Sequence, residues 1–140
     1  MTEIEMMGWL LRAADYGITG IKVHYEGGGD SGAIEYIVYT KDALGDDDEE
    51  AFDVIESMEG WSGDPINLNT LDHELYNAID NFAIEHILDN IEDWWNNDGG
   101  FGSLCIMIPS GKYKVFNNIR ITDYESYQHE GSLINETLKQ

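Results

Sequence analysis

The chain has 140 residues, and 28 Asp and Glu against 7 Lys and Arg give it a formal net charge of −21. Binding nucleic acid through its phosphates, or lying on an anionic membrane, requires clustered cations, so both functions are excluded. No run reaches the roughly 18 apolar residues of a membrane span, and the opening MTEIEMMGWLLR has acids where a secretory signal carries basic residues, so a cytoplasmic protein is expected.

The length fits one α+β domain, expected over residues 1–131 with a loose tail at 132–140, and is enough to bury a core without a metal or a disulfide. The first predicted element is an amphipathic helix over Thr2 to Tyr16. Thr2 and Glu5 stand at capping-box spacing, Ile4, Met7, Leu11 and Ala14 share one face, and Gly17 supplies a stop. From Thr19 to Glu26 the pattern alternates, with Ile21, Val23 and Tyr25 on one side and Lys22, His24 and Glu26 on the other. Ala33 to Thr40, AIEYIVYT, is rich in β-branched and aromatic residues, so the two strands read as an antiparallel hairpin with EGGGDSG as a wide loop between them.

That loop matches two catalytic strings and fits neither. Gly27, Gly29 and Gly32 satisfy G-x-G-x-x-G, but a dinucleotide fingerprint opens a helix and here a strand follows. Gly29 to Gly32 has the GDSG of trypsin-like proteases, yet 140 residues cannot supply two barrels and no triad order is visible. A glycine-rich turn remains, with Asp30 or Ser31 bonding nearby backbone N–H groups.

The acidic run Asp42 to Glu50 is expected to be a solvated loop. It opens a block of 70 residues, between Lys41 and Lys112, that holds 18 acids and no Lys or Arg. Such a surface serves solubility or meets a strongly basic partner, and Asp46, Asp47, Asp48, Glu49, Glu50, Asp53 and Glu56 are its candidate binding residues. From Asn69 or Thr70 to Trp95 a long helix is predicted, with one apolar set at Leu71, Leu75, Ala78, Ile79 and Phe82 and a second at Ile84, Ile87, Leu88, Ile91 and Trp95. At about 100° per residue the two sets lie nearly opposite. Either the fold sandwiches this helix, or Ile84, Leu88, Ile91 and Trp95 join two copies as a homodimer. After WWNNDGGFG come strands Ser103 to Ile108 and Tyr113 to Phe116, joined by a tight turn, and a last short strand at Asn118 to Thr122. Cys105, in the apolar run LCIMI with no second thiol, reads as a small core residue. The order is α-β-β-α-β-β: two helices and a mainly antiparallel sheet of four to five strands.

Two segments together, GITGIKVHYEGGGDSGAIE (Gly17 to Glu35) and WWNNDGGFG (Trp94 to Gly102), resemble an uncharacterised family of small acidic bacterial, plasmid and phage proteins. That family pairs a strand-Y/F-x-G-x-GDSG-x-IE element with a helix ending in W-x-NNDG-x-x-G. VFNNIRITDYESYQHE (Val115 to Glu130) is similar to its closing F-N-x-R and Y-x-x-x-x-H-E. The resemblance implies a shared fold and no known activity. Asp42 to Asp64 is longer and more acidic than the family pattern, so the resemblance is silent on this insert.

Convergence of these motifs would place Asp30, Ser31, Glu35, Asn97, Asp98, Arg120 and His129 in one polar cluster at an end of the sheet. Such a cluster is either a structural clasp or a site for a small ligand or a hard cation such as Mg²⁺ or Ca²⁺. The leading functional expectation is a non-enzymatic, cofactor-free interaction protein of a phage or mobile element, acting in the host cytoplasm. Its partner would be a basic, nucleic-acid-binding host protein, such as a defence protein, inhibited by carboxylates spaced like phosphates. The competing expectation is a ligand- or metal-binding domain or hydrolase-like enzyme centred on the Asp30 and Asp98 loops.

Overall fold

The computed structural model describes residues 3–28, 31–44, 47–58, 67–84, 100–108, 110–120 and 124–133. The elements run α1 (Glu3–Asp15), β1 (Gly20–Gly28), β2 (Ser31–Thr40), α2 (Asp48–Glu56), α3 (Leu68–Leu71), α4 (His73–Phe82), β3 (Gly100–Met107), β4 (Lys112–Arg120) and β5 (Tyr124–Ser132). All five strands form one antiparallel sheet in the order β2-β1-β3-β4-β5. This is the α+β class that the sequence pattern predicts. The β1–β2 pair is a hairpin, and the chain then leaves the sheet through α2, α3 and α4 before β3 enters on the other side of β1.

Alternation sorts the strands into two faces. On the first, Ile21, Val23 and Tyr25 of β1, Ile37 and Tyr39 of β2, Leu104 and Ile106 of β3 and Val115 of β4 join Met6, Leu10 and Ala13 of α1, Leu68 of α3, and Leu75 and Ile79 of α4. On the second, Cys105, Met107 and Phe116 meet Phe52 and Ile55 of α2, with Leu44 and Met58 at the margins. The sheet therefore has helices on both faces, and Cys105 is buried as expected.

The structure corrects several details of the sequence reading. The last three residues of the stretch expected to be a solvated loop, Asp48 to Glu50, instead open α2, because Asp47 caps the helix by accepting the Glu49 N–H at 3.0 Å and Ala51, Phe52 and Ile55 beyond that stretch give it a buried face. The long second helix is broken at Asp72, whose extended backbone (φ −157, ψ 99) ends α3 and starts α4, its carboxylate accepting the Leu75 N–H at 3.1 Å. Within α4 the first apolar set is inward as predicted, with Leu75, Ala78 and Ile79 buried. Ile84 packs at the margin of the same core, while Leu88, Ile91 and Trp95 lie outside the described residues.

The face of α1 is turned by one residue from the predicted one. Met6, Leu10 and Ala13 are buried; of the predicted face, Met7 and Ala14 pack half-buried against the core, whereas Ile4 and Leu11 are 76% and 58% exposed. Both stripes are apolar, so periodicity alone cannot choose between them. The choice follows from Arg12 and Tyr16, which must reach Asp72 across the α1–α4 contact. The glycine loop is shorter than the sequence suggests, since Gly27 pairs with Gly32 and Gly28 with Ser31, leaving only positions 29–30 between the strands. The register with β2 shifts between His24, which pairs with Tyr36, and Tyr25, which pairs with Ile34, and this bulge lets Ile34 and Ile37 both face the main core. Asn118 is inside β4, and the last strand is instead β5, after which Leu133 is buried and its N–H donates to the Gly111 carbonyl at 3.0 Å. Ser132 thus belongs to the sheet, and residues 134–140 of the expected tail are outside the described residues.

Candidate interaction surface

The second face of the sheet carries the chemistry of α2. Lys22 projects from β1 on the side opposite Ile21 and Val23, and it is only 6% exposed. Its Nζ donates to the carbonyls of Glu56 and Met58, both at 2.7 Å, so an ammonium sits where the orphan carbonyls at the end of α2 need donors. Lys112 and Lys114, two apart on β4, share this face. Lys112 meets Asp48 at 3.2 Å. Lys114, with 5% of its side chain exposed, meets Glu49 at 2.9 Å and Glu130 of β5 at 3.4 Å. Hydrogen bonding from Lys114 lowers the Glu49 carboxyl below its usual range, and Glu49 in turn raises the Lys114 ammonium. The acidic helix is thus fastened to a row of lysines from its own sheet.

This docking sorts the candidate acids. Asp48 and Glu49 are engaged with lysines, Asp47 caps the helix, and Glu56 accepts from the Cys105 thiol at 3.8 Å. Burial raises that thiol well above its ordinary value, which makes it an inert core group. Glu50 and Asp53 are exposed and carry no ion pair among the described residues; Asp46 lies outside them. An open cleft of about 450 Å³ separates α2 from β4 and β5, lined by Asp48, Glu49, Phe52, Lys112 and Glu130.

Four of the seven cations are engaged by groups of the chain itself. Besides Lys22, Lys112 and Lys114, Arg12 is bidentate to Asp72 at 2.7 and 2.9 Å, and Tyr16 donates to the same carboxylate at 2.8 Å. Burial alone would raise the Asp72 carboxyl; the Arg12, Leu75 and Tyr16 donors outweigh it and hold the group at about 2.

The polar cluster is gathered only in part. At the hairpin end of the sheet Gly27 pairs with both Gly32 and Gly100, and Gly100 pairs with Ile119, so the GDSG strand ends, the start of β3 and the end of β4 are neighbours. Gly102 is required there: a Cβ would stand 1.9 Å from the Phe116 carbonyl oxygen and 2.8 Å from the Tyr25 hydroxyl. That hydroxyl donates to the Asn117 amide oxygen at 2.7 Å. Ser31 and Arg120 are brought to this end by their backbones, paired with Gly28 and Tyr124. His129 is not, because it pairs with Val115, five positions back along β4 from Arg120, or roughly 17 Å at the rise of a strand. Glu35 lies on β2 with its carboxylate 3.6 Å from His24 Nε2, and His24 stacks on Tyr36 with centroids 4.9 Å apart. Burial, then Lys22, pushes the His24 pKa down. Asp30, Asn97 and Asp98 lie outside the described residues. Among the described residues no group of three or more His, Cys, Asp or Glu is placed to hold a metal ion.

Sequence reasoning missed the lysine row. The signal was present in period two: Lys22 alternates with apolar residues on β1, and Lys112 and Lys114 alternate on β4.

Fold and surface define an acidic α+β protein built on one antiparallel sheet with helices on both faces. Residues 6–131 match the model of DUF6878, a family of unknown function, and the chain belongs to that family. No curated protein and no solved structure matches it. No helix among the described residues is long and apolar enough to cross a membrane.

Proposed function

We propose that this protein is a non-enzymatic, acidic interaction protein of a phage or mobile element. It binds a basic, nucleic-acid-binding host protein, such as a defence protein, and inhibits it by occupying the groove that would hold phosphates. The observation that carries this reading is the distribution of charge. Of 7 cations against 28 acids, Arg12, Lys22, Lys112 and Lys114 are turned to internal acceptors, so the outer row of α2, Asp47, Glu50 and Asp53, faces solvent with few positive neighbours. Carboxylates so disposed attract a basic groove at long range and speed encounter.

The test is competition. The immobilised full chain is offered a basic DNA-binding protein from the host, with and without duplex DNA. Binding should be displaced by the duplex, weaken steeply as the Debye length falls from about 10 Å at 0.1 M salt to about 3 Å at 1 M, and drop in a Glu50→Gln, Asp53→Asn variant. Retention indifferent to salt, duplex and both substitutions would overturn the reading.

The second reading is a small-ligand or divalent-metal site at the Asp30 and Asp98 loops. It is favoured by the pairing of Gly27 with Gly100, which brings the two motif ends together. Titration of Mg²⁺ or Ca²⁺ against the native chain and against Asp30→Ala and Asp98→Ala tests it: saturable binding lost in both variants supports the site, and no binding to the native chain removes it.

A further inference from the structure

Two of the four residues that sequence periodicity assigns to the core side of α1, Ile4 and Leu11, face solvent, while Met7 and Ala14 pack half-buried against the main core. Ile4, Gly8 and Leu11, spaced four and three apart, are all exposed, with Ile4 at 76% and Leu11 at 58%. Nothing lies within 4 Å of a Cβ built on Gly8, so the middle of the stripe is a shallow saddle between two aliphatic side chains. Its rim is acidic. Glu5 and Asp15 are exposed beside it, and the one cation of the helix, Arg12, is drawn off to Asp72 and Glu74 and lies over the Trp9 ring.

We infer that this stripe is a docking surface for a cationic amphipathic segment: a helix or strand of a partner protein whose apolar residues seat on Ile4, Gly8 and Leu11 and whose flanking Lys or Arg side chains meet Glu5 and Asp15. Three observations select this occupant. A second copy would bring a like net charge of −21 and the same acidic rim, so self-association is opposed by its own electrostatics. An anionic membrane is opposed for the same reason. Two aliphatic side chains also fall far short of the roughly 1,200 Å² that a free-standing interface buries, so the stripe has to act beside an electrostatic contact. It supplies the short-range apolar part that the acidic rim, acting over a Debye length, does not. The inference rests on the proposed basic partner and adds where that partner is gripped.

Two synthetic probes separate the inference from the reading beneath it: a 14-residue peptide alternating Lys with Leu at helical spacing, and an oligolysine of equal charge. The full chain should bind the Leu-bearing peptide about tenfold more tightly, the scale expected for burying an aliphatic side chain. That preference should vanish in an Ile4→Ser, Leu11→Ser variant and persist in Glu50→Gln, Asp53→Asn. The substituted side chains are exposed, so circular dichroism should show an unchanged fold. Equal affinity for the two peptides, or a preference that survives in the α1 variant, overturns the docking surface while leaving the acidic-partner reading intact. Failure to bind either peptide overturns both. A concentration-dependent dimer in sedimentation, or partition onto neutral phosphatidylcholine vesicles, abolished by the α1 variant would assign the stripe to a second copy or to lipid and overturn the inference.

Discussion

The two amphipathic helices α1 and α2 lie on opposite faces of the same sheet and are held in different ways. α1 sits on the large core through Met6, Leu10 and Ala13 and is locked to α4 by one nearly inaccessible carboxylate, Asp72, that takes Arg12, Tyr16 and the Leu75 N–H together. α2 buries Phe52 and Ile55 in a small second cluster, and its ion pairs use acids that remain largely exposed. Apolar area and a satisfied buried charge fix α1. For α2, the lysines of the sheet decide where an acidic helix can rest, while a modest apolar patch supplies the adhesion.

The largest effect should come from the first face. Leu10→Ala removes a side chain that is 1% exposed in the main core and should cost about 3 kcal/mol in urea unfolding, with the whole sheet melting at a lower midpoint. Phe52→Ala should cost about 2 kcal/mol, less than for a core phenylalanine, because α2 can undock and leave the sheet folded. Hydrogen exchange distinguishes the two: in the Phe52 variant α2 amides should lose protection while those of β1 and β3 keep it. Equal loss across the molecule would show that α2 is integral to the global fold.

Next in size is the Asp72 clasp. Asp72→Asn keeps the helix cap but not the charge, and should cost about 1–2 kcal/mol after solvent screening. The pH dependence has a definite sign. The folded carboxyl titrates at about 2 against an ordinary 3.8, so its contribution is fully present above the ordinary value and is lost as pH falls through both. The native protein should therefore shed stability between about pH 5 and pH 2, and the Asp72→Asn variant should shed less. Parallel pH curves would remove Asp72 from the account.

Salt should divide the helices. Screening a net charge of −21 relieves self-repulsion, so the melting temperature should rise between 0.05 and 0.5 M salt, on the order of a few degrees. The exposed Asp48 and Glu49 pairs weaken over the same range, so α2 should gain less protection than α1. The smallest effect belongs to the outer row: Glu50→Gln and Asp53→Asn should change stability by less than about 0.5 kcal/mol, which makes them clean probes of binding.

The sequence by itself determined the class of fold, the hairpin of β1 and β2, the inward face of β1 and the apolar set of α4, because period-two and period-3.6 patterns report which side of an element is dry. It also determined the excess of acid and the burial of Cys105. Tertiary structure alone decided which of two adjacent apolar stripes on α1 faces the core, since that depends on Arg12 and Tyr16 finding a carboxylate about 60 residues away. It decided too that Asp48 and Glu49 belong to a docked helix, because their partners, Lys112 and Lys114, lie 64 and 65 residues further along the chain. It separated His129 from the hairpin end, because strand register fixes position along a sheet and a spaced motif does not carry register. Local pattern reports burial, and only the folded chain can say which distant charge answers which.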